Sequence, residues 1–192
     1  MNVQEATTRR LPDLKERHLP ENCRETINTI LKETYGYEQF RNLEIYDDLS
    51  KGKEKLCISQ GQLIENVILE AEKAWKSETQ VDNILLTAPT GSGKSLLFQL
   101  PAIYLGKEYN LLTIVVSPLK ALIVDQVESL QELGYTRVAY ASSDLSPEQK
   151  MEVYRQVREG EIDLFYLSPE LLLSYDIKHF VGERRIGLVV VD

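Results

Sequence analysis

At 192 residues and 43% hydrophobic content the chain can bury a real core as one domain, and two cysteines, Cys23 and Cys57, support neither a disulfide framework nor a zinc site. A net charge of −8 excludes the broadly basic surface of a nonspecific nucleic-acid binder, so any such contact must be local. The start, MNVQEATTRRLPDLKERHLP, has charges and prolines where a secretory leader needs an apolar stretch, and no apolar run nears the roughly 20 residues that span a bilayer; we expect a soluble, cytoplasmic (intracellular) protein with no membrane partner.

Residues 22–31 set Ile27, Ile30 and Leu31 at helical spacing, and residues 62–75 set Ile64, Val67, Ile68, Ala71 and Trp75 on one face. Both read as helices packed on the core. Residues 35–57, with Gly36 and the charged run SKGKEK, read as loop-rich with short elements. On this basis residues 1–75 form a small helical N-terminal segment and residues 76–192 the main domain.

From about Val81 the pattern changes to short apolar runs alternating with amphipathic stretches. Strands are predicted at 83–87 (NILLT), 111–116 (LLTIVV), 137–141 (RVAYA), 162–167 (IDLFYL) and 187–191 (GLVVV). Each is short and rich in β-branched or aromatic residues, which suits strands buried on both faces. Helices are predicted between them at 94–105, 119–133, 147–159 and 169–175. Strict alternation implies an α/β fold with a parallel sheet and helices on both faces.

Between the first strand and the first of these helices stands APTGSGKS at 88–95. Gly91 and Gly93 allow a backbone curl that points successive N–H groups at phosphate oxygens, with Thr90 and Ser92 in the same loop. Lys94 can reach the β- and γ-phosphates, and the Ser95 hydroxyl can ligate Mg²⁺. ATP with Mg²⁺ is therefore the expected cofactor. The general pattern opens with glycine, and here the first position is Ala88. The apolar run 188–191 delivers Asp192 at a strand end, where a carboxylate gives Mg²⁺ its second anchor. Lys94 and Asp192 are the candidate catalytic pair, and Ser95 with Asp192 the candidate metal ligands.

Three helices are predicted to begin with one dipeptide: Ser117-Pro118, Ser146-Pro147 and Ser168-Pro169. Serine caps an orphan N–H, and proline at the next position gives up only an N–H that had no partner. Gln149 adds a capping box to the second. Ser117 and Ser168 follow directly on strands, which puts them at the carboxyl edge where open α/β sheets bind ligands. The densest basic groups, Arg155 with Arg158 and Arg184 with Arg185, read as a solvated face.

Taken together, APTGSGKS, VVSPLKALIVDQV (115–127), ASSDLSPEQK (141–150), LFYLSPELLL (164–173) and GLVVVD (187–192) resemble the ordered motifs of the first RecA-like domain of superfamily-two DExD/H-box helicases, RecQ-like within that superfamily. The resemblance covers roughly residues 35–192. It implies that Thr90, Gly91, Gly93, Lys94 and Ser95 hold nucleotide and that Asp192 holds Mg²⁺. It further implies that Ser117, Pro118, Leu119, Ser168, Pro169 and Glu170 grip one strand of single-stranded or partly duplex DNA. RecQ-like proteins carry an adenine-recognising segment before the phosphate loop. Here it is split between YGYEQFR (35–41) and QGQ (60–62), by an insertion or by accident, with Gln62 and Arg41 as adenine candidates.

The sequence carries no second RecA-like domain and no arginine finger, a group worth on the order of 10³ to 10⁵ in rate. We expect poor hydrolysis by this chain alone and read it as the N-terminal part of a longer helicase or a truncated copy. The competing expectation is a non-catalytic module that binds ATP and a partner without turnover. A P-loop kinase or GTPase is disfavoured, because no Asn-Lys-x-Asp segment or kinase lid is visible.

Overall fold

The computed structural model describes residues 23–46, 55–76, 83–86 and 91–192. Its elements, in chain order, are α1 (Glu25–Tyr35), β1 (Asn42–Tyr46), β2 (Lys55–Ser59), α2 (Gln60–Trp75), α3 (Leu96–Tyr109), β3 (Leu112–Val116), α4 (Lys120–Glu132), β4 (Val138–Ala141), α5 (Pro147–Arg158), β5 (Leu164–Leu167), α6 (Pro169–Ser174), α7 (Ile177–Val181) and β6 (Ile186–Val191). No helix among the described residues is long and apolar enough to cross a membrane.

Four strands pair in the order β4-β5-β3-β6, every neighbour parallel, as the alternating pattern predicts. Successive side chains of a strand leave opposite faces, and the sequence fills both with apolar groups. Val115, Leu164 and Tyr166 enter a cluster with α1, α2, α3 and α4, while Leu112, Ile114, Val116, Phe165 and Leu167 enter a second with α5 and α7. This is the RecA-like α/β arrangement. Residues 96–106 of α3 are all buried, which accounts for a helix that is apolar around its whole circumference.

Three expectations change. Residues 83–86 are not a paired strand; across a cavity of about 400 Å³ they face β6, whose outer edge has no neighbour among the described residues. An apolar pattern alone does not make a strand: the segment stays irregular where it makes no ladder bonds to that open edge. Ser117 is not a helix cap: α4 begins at Lys120 with Leu119 in the cap position. The Ser117 N–H instead donates to the Leu167 carbonyl at 3.1 Å, so the sheet ladder holds it for one more residue. The other two Ser-Pro starts are helix caps as predicted, Ser146 with the Gln149 capping box and Ser168 accepting from the Leu171 N–H. Arg184 is not solvated, because its side chain is buried against Asp163 at 3.0 Å. The loop-rich stretch 35–57 contains an antiparallel hairpin, with Asn42 opposite Ser59 and Tyr46 opposite Lys55.

Arg24 ties α1 to the helices beneath it. Its guanidinium donates to Glu65 Oε1 at 2.8 Å, to Glu72 Oε1 at 2.7 Å and to the Tyr104 hydroxyl, and it lies 4.9 Å from the Tyr104 ring centre. Glu65 and Glu72 are both buried. Burial pushes the Glu72 carboxyl up, but hydrogen bonds from Arg24 and Tyr109 outweigh it and hold the group below the ordinary carboxylate value.

Candidate nucleotide site

The described part of the phosphate loop begins at Gly91; Ala88, Pro89 and Thr90 lie outside the described residues. Gly91 (φ +82°) and Gly93 (φ +80°) adopt left-handed backbone that a Cβ disfavours, and this curls the chain into α3. Ser95 occupies the cap position of α3 without a side-chain capping bond. The buried Ser92 hydroxyl finds no hydrogen-bond partner among the described residues. An orphaned buried donor beside a positive helix end is the environment in which an anionic group is stabilised.

Lys94 and Asp192 line the same cavity of about 400 Å³, together with Leu97, Phe98 and Val190. Asp192 is placed by the sheet, its N–H donating to the Val116 carbonyl at 3.0 Å. Among the described residues no cluster of three or more metal-ligating side chains occurs. One hydroxyl and one carboxylate still suit Mg²⁺, which keeps several waters and takes few protein ligands.

A hairpin lies between the two parts of the segment before the loop. β1 and β2 leave and return at neighbouring points, so residues 41 and 60 meet: the Gln60 N–H donates to the Arg41 carbonyl at 2.9 Å, and the Arg41 N–H donates to Gln60 Oε1 at 3.1 Å. Gln60 Nε2 donates in turn to the Ser92 carbonyl at 3.2 Å. A Cβ placed on Gly93 would stand 2.7 Å from that nitrogen and would displace the Gln60 amide from the loop. Gln62, the expected adenine contact, has a local role: its Oε1 accepts the Ser59 N–H at 3.0 Å in the capping box of α2.

The carboxyl ends of the strands are level. Val116 stands opposite Leu167 and Val191, and Ala141 opposite Leu167, so Ser142, Ser168, Ser117 and Asp192 form a row along one edge. Ser117 is buried and its hydroxyl has no partner among the described residues. Pro118 and Leu119 are exposed beside it, and Lys120 donates to Asp144 at 3.0 Å. On the neighbouring strand end, Pro169 and Glu170 begin α6, with the Glu170 carboxyl held below its ordinary value first by its own backbone N–H and then by Ser168.

A parallel α/β sheet with a glycine-curled phosphate loop and a carboxylate at a strand end defines a P-loop NTPase domain. Residues 68–192 match the family model for DEAD/DEAH box helicases, and the chain belongs to that family. It is 32% identical over 165 residues to the ATP-dependent DNA helicase RecQ of Synechocystis, covering 86% of this chain and 28% of that protein. It is also 32% identical to the ATP-dependent DNA helicase Q-like 5 of Arabidopsis thaliana, covering 88% of this chain and 15% of the relative. With the RecQ helicase of Bacillus subtilis it shares 30% identity, over 85% and 22% of the two chains. The chain thus spans between 15% and 28% of the length of these relatives, and within the family its likeness is to RecQ-type helicases.

Proposed function

We propose that this chain is the ATP-binding half of an ATP-dependent DNA helicase of RecQ-like type, which binds Mg²⁺-ATP and grips one DNA strand, and which separates strands together with the remainder of a longer chain or a partner that supplies the second motor domain. The observation that carries this reading is the meeting of Lys94 and Asp192, 98 positions apart in sequence numbering, on one cavity. In this reading Thr90 and the N–H groups from Gly91 to Ser95 cradle the phosphates, Lys94 meets the β- and γ-phosphates, and Ser95 and Asp192 hold Mg²⁺. The metal supplies neutralisation of phosphate charge. We assign the adenine edge to Gln62 and Arg41, and to Gln60, buried with both amide atoms already bonded, the bracing of the loop.

The strand lies along the row of Ser117, Pro118, Leu119, Ser168, Pro169 and Glu170. The Ser117 hydroxyl, without a partner among the described residues, supports a phosphate contact there without a basic patch, which suits the net charge of −8. Glu170, an ionised acceptor, suits base amino groups instead. Titration of single-stranded DNA in rising salt, with and without Mg²⁺-ATP analogue, tests this. Binding that weakens with salt and falls in the Ser117→Ala, Ser168→Ala double variant supports the reading; equal affinity in the two proteins contradicts it.

A further inference from the structure

The first core cluster is apolar except for a chain of amides and phenols that runs through it. Gln126 of α4 is 7% exposed, Gln99 of α3 is 6% exposed and Tyr166 of β5 is fully buried. The Tyr166 hydroxyl donates to Gln126 Oε1 at 2.9 Å, and Gln99 Nε2 donates to the Tyr166 oxygen at 3.2 Å and to Gln126 Oε1 at 3.4 Å. Tyr35 of α1 donates to Gln99 Oε1 at 3.3 Å. At the other end Gln126 Nε2 donates to Asp192 Oδ2 at 3.3 Å.

The direction of this chain is forced. Gln126 Oε1 already receives two donors, so the amide must turn its N–H₂ toward Asp192; the reverse orientation would set oxygen against carboxylate and nitrogen against donors. A carboxylate with one oxygen held by a buried amide keeps its other oxygen for a ligand in a fixed direction. A core of this kind would be filled at least as well by leucine, so stability alone does not call for the amides. The elements that meet here are those that carry the loop (α3), the Ser117 turn (α4), Ser168 (β5) and Asp192 (β6).

We propose that Gln126 is a positioning residue that holds the Asp192 carboxylate for Mg²⁺ and ties it to α4, so that metal-nucleotide binding and strand contacts at Ser117 to Leu119 are energetically linked. The inference rests on the reading of Asp192 as a Mg²⁺ anchor. Gln126→Leu removes the donor while keeping an apolar fill, and Tyr166→Phe removes only the hydroxyl that orients the amide.

The test is the affinity of the folded chain for a fluorescent non-hydrolysable ATP analogue, titrated with Mg²⁺ against an EDTA control, with and without single-stranded DNA. Gln126→Leu is expected to weaken the apparent Mg²⁺ affinity by roughly 10- to 100-fold, with metal-free analogue binding unchanged, and to abolish the effect of DNA on it. Tyr166→Phe should move in the same direction by less. A purely structural role would lower melting temperature without this selective loss of the metal response. Mg²⁺-dependent binding in the unmodified chain with the same Mg²⁺ affinity in both variants overturns the inference alone. Absence of any Mg²⁺ response in the unmodified chain overturns the nucleotide reading and the inference with it.

Discussion

Arg41 and Gln60 exchange two hydrogen bonds across the base of the β1-β2 hairpin, one backbone to backbone at 2.9 Å and one from the Arg41 N–H to the Gln60 side chain at 3.1 Å. Because the same amide reaches the Ser92 carbonyl, the base of the hairpin is tied directly to the phosphate loop.

Gln60→Ala should therefore cost about 1–3 kcal/mol of stability, the penalty for leaving buried backbone groups unpaired. Affinity for an ATP analogue should fall on the order of tenfold, equivalent to one lost hydrogen bond. Denaturant unfolding and fluorescence titration of the one variant measure both. Gln62→Ala should lower stability through its helix cap and also weaken analogue affinity, which separates the adenine contact from the bracing by Gln60.

Arg24→Met removes the cation between Glu65 and Glu72 and should destabilise the fold by about 3–5 kcal/mol, because two buried carboxylates are left without a counter-charge. The pH response should change sign. In the unmodified chain the depressed Glu72 carboxyl contributes stability above its unfolded value, near 4.3, and that contribution is lost as pH falls through the lower folded value. In the variant, burial without Arg24 raises the Glu72 carboxyl, so stability grows as pH is lowered toward about 4.3. Unfolding midpoints across the acid range follow both trends.

Thiol labelling should separate the two cysteines. The Cys23 thiol is pushed up to about 12 by burial and then by Glu65, so it stays protonated at neutral pH, whereas Cys57 is exposed. Iodoacetamide at neutral pH should modify one site in the folded chain, and Cys57→Ser should remove it; rapid labelling of that variant would show that the α1 end opens.

The sheet was legible because β3, β4, β5 and β6 are short apolar runs; β3 and β5 are buried throughout, whereas β6 keeps that composition at the sheet edge with Ile186, Val189 and Val191 exposed. The 83–86 segment carries the same pattern, but strand formation needs a neighbour, which no run of residues encodes by itself. The curl at Gly91 and Gly93 and the meeting of Lys94 with Asp192 on one cavity were expected from spacing, because neighbouring loop residues stay together and a strand end places the carboxylate. Gln60 was not, since its approach to Ser92 depends on a hairpin that closes the interval from Arg41. Gln99 and Gln126 were hidden for a similar reason: each is one amide in an apolar or amphipathic helix, and its partner lies on another element. The only signal for Gln99 was its place inside the apolar run LLFQLPAIYL.

The most direct test of the nucleotide assignment is the affinity of a fluorescent ATP analogue with Mg²⁺ for the unmodified chain and for Lys94→Ala, with circular dichroism confirming that both are folded. Loss of the charge that meets the β- and γ-phosphates should weaken binding by about tenfold or more. Equal affinity in the two proteins would contradict the account.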